Sequence, residues 1–221
     1  MLTVRTGNNS PFGRKIRIAV NVLGLEREVA IAPASTVDPA DPIRQQNPLG
    51  KVPVLILDDG AALYDSPVIL EYLDHRAGGG KILPKDPQAR FAALRLQALA
   101  DGIMDASILI NYEARYRPVQ NHEPKWLELQ AGKVARALAV LEAAPPGIDT
   151  RPGADTPPGA DTPPGASTPP DVGQITLACA LGYRDFRFPG TWRGAHARLA
   201  AWLDTFAARV PAFAATTPPP A

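Results

Sequence analysis

Proline has no backbone N–H to give, so a strand that opens on one has a fixed end and a limited choice of partners. That constraint falls inside Asn47-Pro48-Leu49-Gly50-Lys51-Val52-Pro53, which leads directly into the apolar run Val54-Leu55-Ile56-Leu57. Bonds before proline are the ones that adopt the cis form. A cis bond after Val52 turns the Val52 N–H and C=O outward, where an extended peptide can pair with them. Asp58-Asp59-Gly60 then marks a hairpin turn and Ala61 to Tyr64 a returning strand. Asp65-Ser66-Pro67 reads as a helix start, whose free amides and dipole favour a carboxylate. Together these elements predict a clamp for a small zwitterionic peptide.

Composition narrows the setting. The chain has 221 residues, 45% of them apolar, and a formal net charge of +1 without a basic stripe. A sizeable core is expected, and nucleic acid is not an expected partner. Cys179 is the single cysteine, which excludes an internal disulfide framework and fits a reducing compartment. Met1 to Arg5 lacks the apolar run of a signal peptide, and no apolar stretch reaches about 18 residues. A cytoplasmic protein that contacts no membrane is expected.

The pattern changes once along the chain. Leu2 to Arg5 predicts a strand, and Pro11 to Gly24 a helix with Ser10 as N-cap and an apolar stripe of Ile16, Ala19, Val20 and Leu23. Arg27 to Ala32 reads as a second strand and Pro42 to Gln46 as a short helix. Pro67 to Arg76 is a helix with Val68, Ile69, Tyr72 and Leu73 inward. The order is that of a thioredoxin-like domain with a mixed four-stranded sheet, residues 1–77. A glycine-rich linker, 78–87, follows. From 88 to 221 the periodicity is helical throughout: Gln88 to Tyr116, Glu123 to Ala144 with Trp126, Leu127, Leu138 and Leu141 in its core, Ile175 to Phe186, and Ala195 to Arg209. The predicted class is α/β plus all-α, the second half a helical bundle.

A loop at 145–170 interrupts that bundle. Pro146 to Pro169 repeats a six-residue unit such as Pro-Gly-Ala-Asp-Thr-Pro. It has neither the bulky apolar positions of a β-helix nor the glycine period of collagen. Its composition buries too little to offset backbone ordering, so a mobile polyproline-type surface loop is expected. Just beyond it, Asp171 and Gln174 have the spacing of a capping box.

Few residues are placed for chemistry. The sequence holds no phosphate-binding loop, no zinc spacing and no Ser-His-Asp pattern, and no metal is expected. His75, His122 and His196 are scattered, and Cys179 lies on an apolar helix face where a thiol is inert packing. Ser10 stands between the first strand and first helix, beside the Val52-Pro53 turn. Capping the helix is its plainer role. A hydroxyl also donates while it accepts, so Ser10 can hold a bound thiolate. A thiol of pKa about 8.5 is a few per cent ionised at neutral pH. A hydrogen bond to a charged group is worth about 1.5–3 kcal/mol, which lowers that pKa by roughly one to two units. The helix N-terminus adds about 0.3–1 kcal/mol.

Ser10-Pro11-Phe12-Gly13-Arg14-Lys15, the Asn47–Pro53 run, and Asp65-Ser66-Pro67 with Glu71-Tyr72-Leu73 resemble the glutathione-binding domain of soluble glutathione transferases. In the second half Ala100 to Ala106, Ala178 to Tyr183 and Trp202-Leu203 fit the same family, in a bacterial subgroup of unassigned substrate. The resemblance covers nearly all the chain except the repeat. It implies glutathione as cosubstrate: Val52 paired to its cysteinyl backbone with Pro53 in cis, Ser66 on the γ-glutamyl carboxylate, Asp65 facing its ammonium, and Lys51 reaching the glycyl carboxylate. Ser10 would activate the sulfur, with Asn9 as the alternative. A solvated surface pair is the plainer reading of Asp65 and Lys51. Serine at position 10 stands where related enzymes of another type carry a nucleophilic cysteine, which argues against mixed-disulfide chemistry.

For the second substrate, Asp101, Asp105, Ile108 and Tyr112 share one helix face at three- and four-residue spacing. Phe12, Asp105, Ile108, Tyr112 and Arg115 are its candidate pocket, with helix–helix packing the plainer role for Ile108. The expectation is a homodimeric glutathione transferase acting on an electrophilic small molecule. A non-catalytic glutathione-fold binding protein and a glutathione-dependent thiol or peroxide reductase are the competing readings.

Overall fold

The computed structural model describes residues 1–147 and 168–219. The first half is β1 (Leu2–Thr6), α1 (Pro11–Val22), β2 (Val29–Pro33), α2 (Ile43–Gln46), β3 (Val54–Ile56), β4 (Ala62–Leu63) and α3 (Ser66–Arg76). The strands form one sheet in the order β2-β1-β3-β4. β1 runs parallel to β2, with Val4 opposite Ile31. It runs antiparallel to β3, with Val4 opposite Leu55, and β3 continues antiparallel to β4. This is the thioredoxin-like arrangement, and Pro53 stands just outside β3, where its missing donor costs the ladder nothing.

α1 crosses back over the sheet with its stripe of Ile16, Ala19, Val20 and Leu23 fully inward. Its N-terminus is capped by Ser10, whose Oγ accepts from the Gly13 N–H at 3.1 Å. α3 buries Ile69, Leu70 and Leu73. Val68, expected inward, is 46% exposed. It precedes Ile69 by one residue, about 100° round the helix, which takes it off the core face.

Between α3 and α4 the backbone is gathered by one carboxylate. Asp74, 4% exposed, accepts from the N–H groups of Gly80 (2.7 Å), Lys81 (2.9 Å) and Ile82 (2.7 Å). The Ile82 carbonyl in turn accepts from the Val172 N–H, which ties this segment to the base of the second half.

The second half comprises α4 (Pro87–Tyr116), α5 (Pro124–Ala143), α6 (Val172–Arg187), α7 (Ala197–Arg209) and α8 (Pro211–Ala215), with single 3-10 turns at Val119–Asn121 and Arg193–Ala195. α6 is the central helix: Val172 through Arg184 are all buried. The capping box is formed, Asp171 accepting from the Gln174 N–H and Gln174 from the Asp171 N–H, each at 2.9 Å. α4 and α6 approach closely at Gly173, where a Cβ would stand 2.6 Å from the Ala93 carbonyl oxygen. On α5, Leu138 and Leu141 are buried, but Leu127 is only half-buried and Trp126 is 40% exposed. It lies in the first turn and lines a surface cavity of about 510 Å³ with Leu109, Tyr112 and Tyr116 instead of joining the core. The expected polyproline loop lies for the most part, 148–167, outside the described residues. Among those described, no helix is long and apolar enough to cross a membrane.

Candidate functional site

The Val52–Pro53 bond is cis, as is Tyr64–Asp65. Val52 lies in the loop before β3, and neither its N–H nor its C=O has a partner among the described residues. The loop below it is fixed: the Asn47 side-chain amide donates to the Lys51 carbonyl at 3.0 Å, and Asn47 Oδ1 accepts from the Leu49 N–H at 3.0 Å. Asn47 is 2% exposed, so this buried amide holds the turn in place. Gly50, at φ 61°, takes the left-handed conformation the turn requires.

Asp65 is the exposed N-cap residue of α3, and its side chain makes no capping bond. Ser66 begins α3 and is 1% exposed. Its N–H and Ser10's hydroxyl proton have no acceptor among the described residues, so both stay available to a ligand. Asn9 is exposed in the turn that Ser10 closes by donating to the Gly7 carbonyl at 3.1 Å. Lys51 is exposed and forms no ion pair with Asp65 among the described residues.

Two buried cations on α1 were not singled out by sequence reasoning. Lys15, 0% exposed, donates to Asp101 Oδ1 on α4 at 2.6 Å. Burial lowers the Lys15 ammonium and raises the Asp101 carboxyl, and their mutual attraction opposes both shifts. Arg14 donates to the Phe213 carbonyl at 2.6 Å and lies 4.0 Å over the Phe213 ring, joining α1 to α8. Only an odd signal was available in the sequence: two adjacent basic residues, with Arg17 close behind, in the first half of a helix whose second half is mostly apolar.

The Lys15–Asp101 contact ties α4 to α1, the helix that Ser10 caps. One turn on, the Asp105 side chain reaches solvent, yet partial burial raises its carboxyl, while Lys51 and Lys15 pull it back. Asp105 on α4 therefore lies in the field of Lys51, Lys15 and Asp65 from the first half of the chain. Phe12 is half-buried with its ring centroid 5.6 Å from Lys15 Nζ. Ile108 is half-buried and stands outside the buried core. Tyr112 is 43% exposed, set edge-on to Tyr116 at 5.2 Å, and Arg115 lies 5.3 Å from the Tyr116 ring centroid. Tyr112 thus faces away from the core but also lines the cavity on the α5 side.

Cys179 is fully buried in α6, and burial pushes its thiol up to about 11, which leaves it protonated and inert. Among the described residues no group of His, Cys, Asp and Glu is arranged to hold a metal ion.

Residues 8–81 match the family profile of the glutathione S-transferase N-terminal domain. The chain is 34% identical over 214 residues to YibF of Escherichia coli, an uncharacterised glutathione-transferase-like protein, covering 96% of each. A crystal structure of a glutathione transferase family member from Pseudomonas fluorescens with bound glutathione is 42% identical, with TM-score 0.83, covering 99% of this chain and 100% of that one. Another, from the same species with bound S-(propanoic acid)-glutathione, is 41% identical with TM-score 0.80 over the same shares of both chains. With identity of this order over nearly the full length of both chains, the chain belongs to the glutathione S-transferase family.

Proposed function

We propose that the protein is a glutathione transferase that ionises the glutathione thiol and presents it to an electrophilic small molecule. The observation that carries this reading is the unpartnered amide pair of Val52 beside the cis bond to Pro53. It suits the cysteinyl backbone of glutathione, which is extended and has one donor and one acceptor to offer. The start of α3 suits the γ-glutamyl end: the Ser66 N–H and hydroxyl for the carboxylate, Asp65 for the ammonium. Lys51 suits the glycyl carboxylate. The relatives' bound glutathione and S-(propanoic acid)-glutathione support the same ligand here, the second being an adduct of the type a transferase forms.

Ser10 is the residue we assign to the sulfur. Its Oγ already accepts from Gly13, so the hydroxyl proton is left to donate to a thiolate, and the cap orients that donation. The half-buried position strengthens the bond over one made in water. A serine there forms no mixed disulfide, which favours transfer over thiol reduction.

The test is a titration of thiolate absorbance in the glutathione complex. In Ser10→Ala the apparent thiol pKa rises by roughly one to two units. An unchanged pKa would reduce Ser10 to a helix cap, and retention of glutathione with no turnover of a generic electrophile would leave a binding protein.

We further infer a cytoplasmic homodimer. The single reduced thiol supports the compartment. The exposed apolar side chains of Val68 (46%) and Phe91 (70%) flank the Glu71–Arg90 ion pair that joins α3 to α4, and they support a self-associating face there.

A further inference from the structure

The cleft is uneven in charge along its length. One face of α4 carries Asp101, Asp105, Ile108, Tyr112 and Arg115 at alternating steps of four and three residues. Its lower end is acidic and adjoins Lys15 and Lys51. At about 1.5 Å rise per residue, Tyr112 lies ~10 Å and Arg115 ~15 Å beyond Asp105 along the helix axis.

At that upper end the sign reverses. α6 runs beside α4 in the same direction, since Gly173 abuts Ala93 and Leu96 near the base and Arg184 reaches Ser107 Oγ at 3.4 Å higher up. By that register the last residue of α6, Arg187, stands level with Ile110, and Arg115 lies ~7 Å further along α4, within the combined reach of two arginine side chains. Tyr183, 5% exposed, is hydrogen-bonded by the Arg187 side chain and lies in the electrostatic field of Tyr112 and Arg115. Among the described residues, neither Arg115, Arg184 nor Arg187 has a carboxylate partner. The neighbouring acids are engaged elsewhere: Asp185 by Arg193 at 2.7 Å, Glu113 by Arg117 at 3.2 Å. Arg184 is 9% exposed, and its Nε and that of Arg187 are buried without a hydrogen-bond partner. Arg115 is exposed and Arg187 half-buried, so both guanidinium groups remain within reach of an anion from the solvent side.

We propose that the second substrate is an electrophile bearing a carboxylate, which Arg115 and Arg187 receive at the upper end of the cleft while Tyr112 and Tyr183 flank its body. This rests on the transferase reading above and names the class of its electrophile. Arg184, held by Ser107 and Thr191, adds its field without touching the ligand. The carboxylate takes no part in the chemistry. Sulfur forms the bond to the electrophilic carbon, the leaving group departs with its electron pair, and the thiol proton passes to water.

The test compares two adducts of nearly one shape, S-(4-carboxybenzyl)glutathione and S-(4-methylbenzyl)glutathione, with glutathione as reference. Dissociation constants are measured by calorimetry on wild type, Arg115→Gln, Arg187→Gln and the double variant. The carboxylate adduct binds wild type about tenfold or more tightly than the methyl adduct, as bidentate charge-assisted contacts allow. The double variant brings that ratio near one. In wild type alone, added salt shrinks the ratio, a readout that needs no variant to fold. Glutathione bound normally, with the two adducts equal in wild type or with a ratio that the double variant leaves intact, overturns this proposal alone. Failure of wild type to bind glutathione overturns the transferase reading and this inference with it.

Discussion

The Lys15–Asp101 pair gives opposite pH signatures to its two single substitutions. Lys15 is 0% exposed and the Asp101 side chain 18%, so either charge left alone is largely cut off from water. In Lys15→Met the Asp101 carboxyl loses its main attraction and keeps the burial that raises it. Its native pKa then lies above the unfolded value near 3.9. Between the two values the native state binds more protons than the unfolded state, so stability falls as pH rises. If Asp101 folds fully protonated, the cost reaches about 4 kcal/mol at pH 7 and only about 1.5 kcal/mol at pH 5. Asp101→Leu leaves the opposite defect. Lys15, already lowered by burial, folds neutral, and its native pKa lies below the unfolded value near 10.4. The unfolded state binds more protons, so stability rises with pH. The ceiling is about 4.5 kcal/mol at pH 7 and about 2 kcal/mol at pH 9. With both charges gone, Lys15→Met/Asp101→Leu lies within about 1 kcal/mol of wild type or is more stable. Urea unfolding followed by circular dichroism and tryptophan fluorescence at pH 5, 7 and 9 reads all three. Single variants that cost under about 1 kcal/mol, or a double variant whose cost equals the sum of the singles, would refute the buried-pair reasoning.

Three further outcomes follow from packing. Gly173→Ala places a Cβ 2.6 Å from the Ala93 carbonyl and 2.8 Å from Leu96 Cβ, so α4 and α6 must separate; a loss of about 1–3 kcal/mol in unfolding free energy, read by urea denaturation, is expected. Cys179, buried with its thiol pushed up to about 11, stays unmodified by iodoacetamide at pH 8 in the folded protein and reacts fully in denaturant, as intact mass will show. Phe91→Arg, which charges the 70% exposed apolar residue beside the Glu71–Arg90 bridge, shifts sedimentation from dimer toward monomer and leaves the circular dichroism unchanged. Sedimentation of wild type as a monomer would remove that face from consideration.

Much of the fold was legible because its signals are local. Ser10 followed by Pro11 caps α1 as its composition implies, and the Asp171–Gln174 capping box closes as its spacing requires. The α1 stripe is inward because one helix face meets one sheet. Errors came where a neighbour, not the periodicity, decided. Val68 and Trp126 are apolar residues in helices, yet no element covers either of them fully. α8 is five residues long, too short for a periodic signal, and is held by Arg14 from the opposite end of the chain. Asp74 carries no motif at all, since its partners are backbone N–H groups that any sequence provides.

The candidate site divides along the same line. The Val52–Pro53 turn, the Asp65-Ser66 helix start and the Ser10 cap are set by residues adjacent in the chain, where proline stereochemistry and capping act within a few bonds. Those elements were determined by the sequence itself. The tertiary structure alone brought Lys15 to Asp101 across 86 positions. It also set α6 parallel to α4, so that Arg115 and Arg187 both act on Tyr183. Charge pairing and desolvation depend on which faces meet in space. For that reason the proposed anchors of glutathione were readable in the sequence, whereas the charges proposed to select the second substrate emerged only from the packing of α1, α4 and α6.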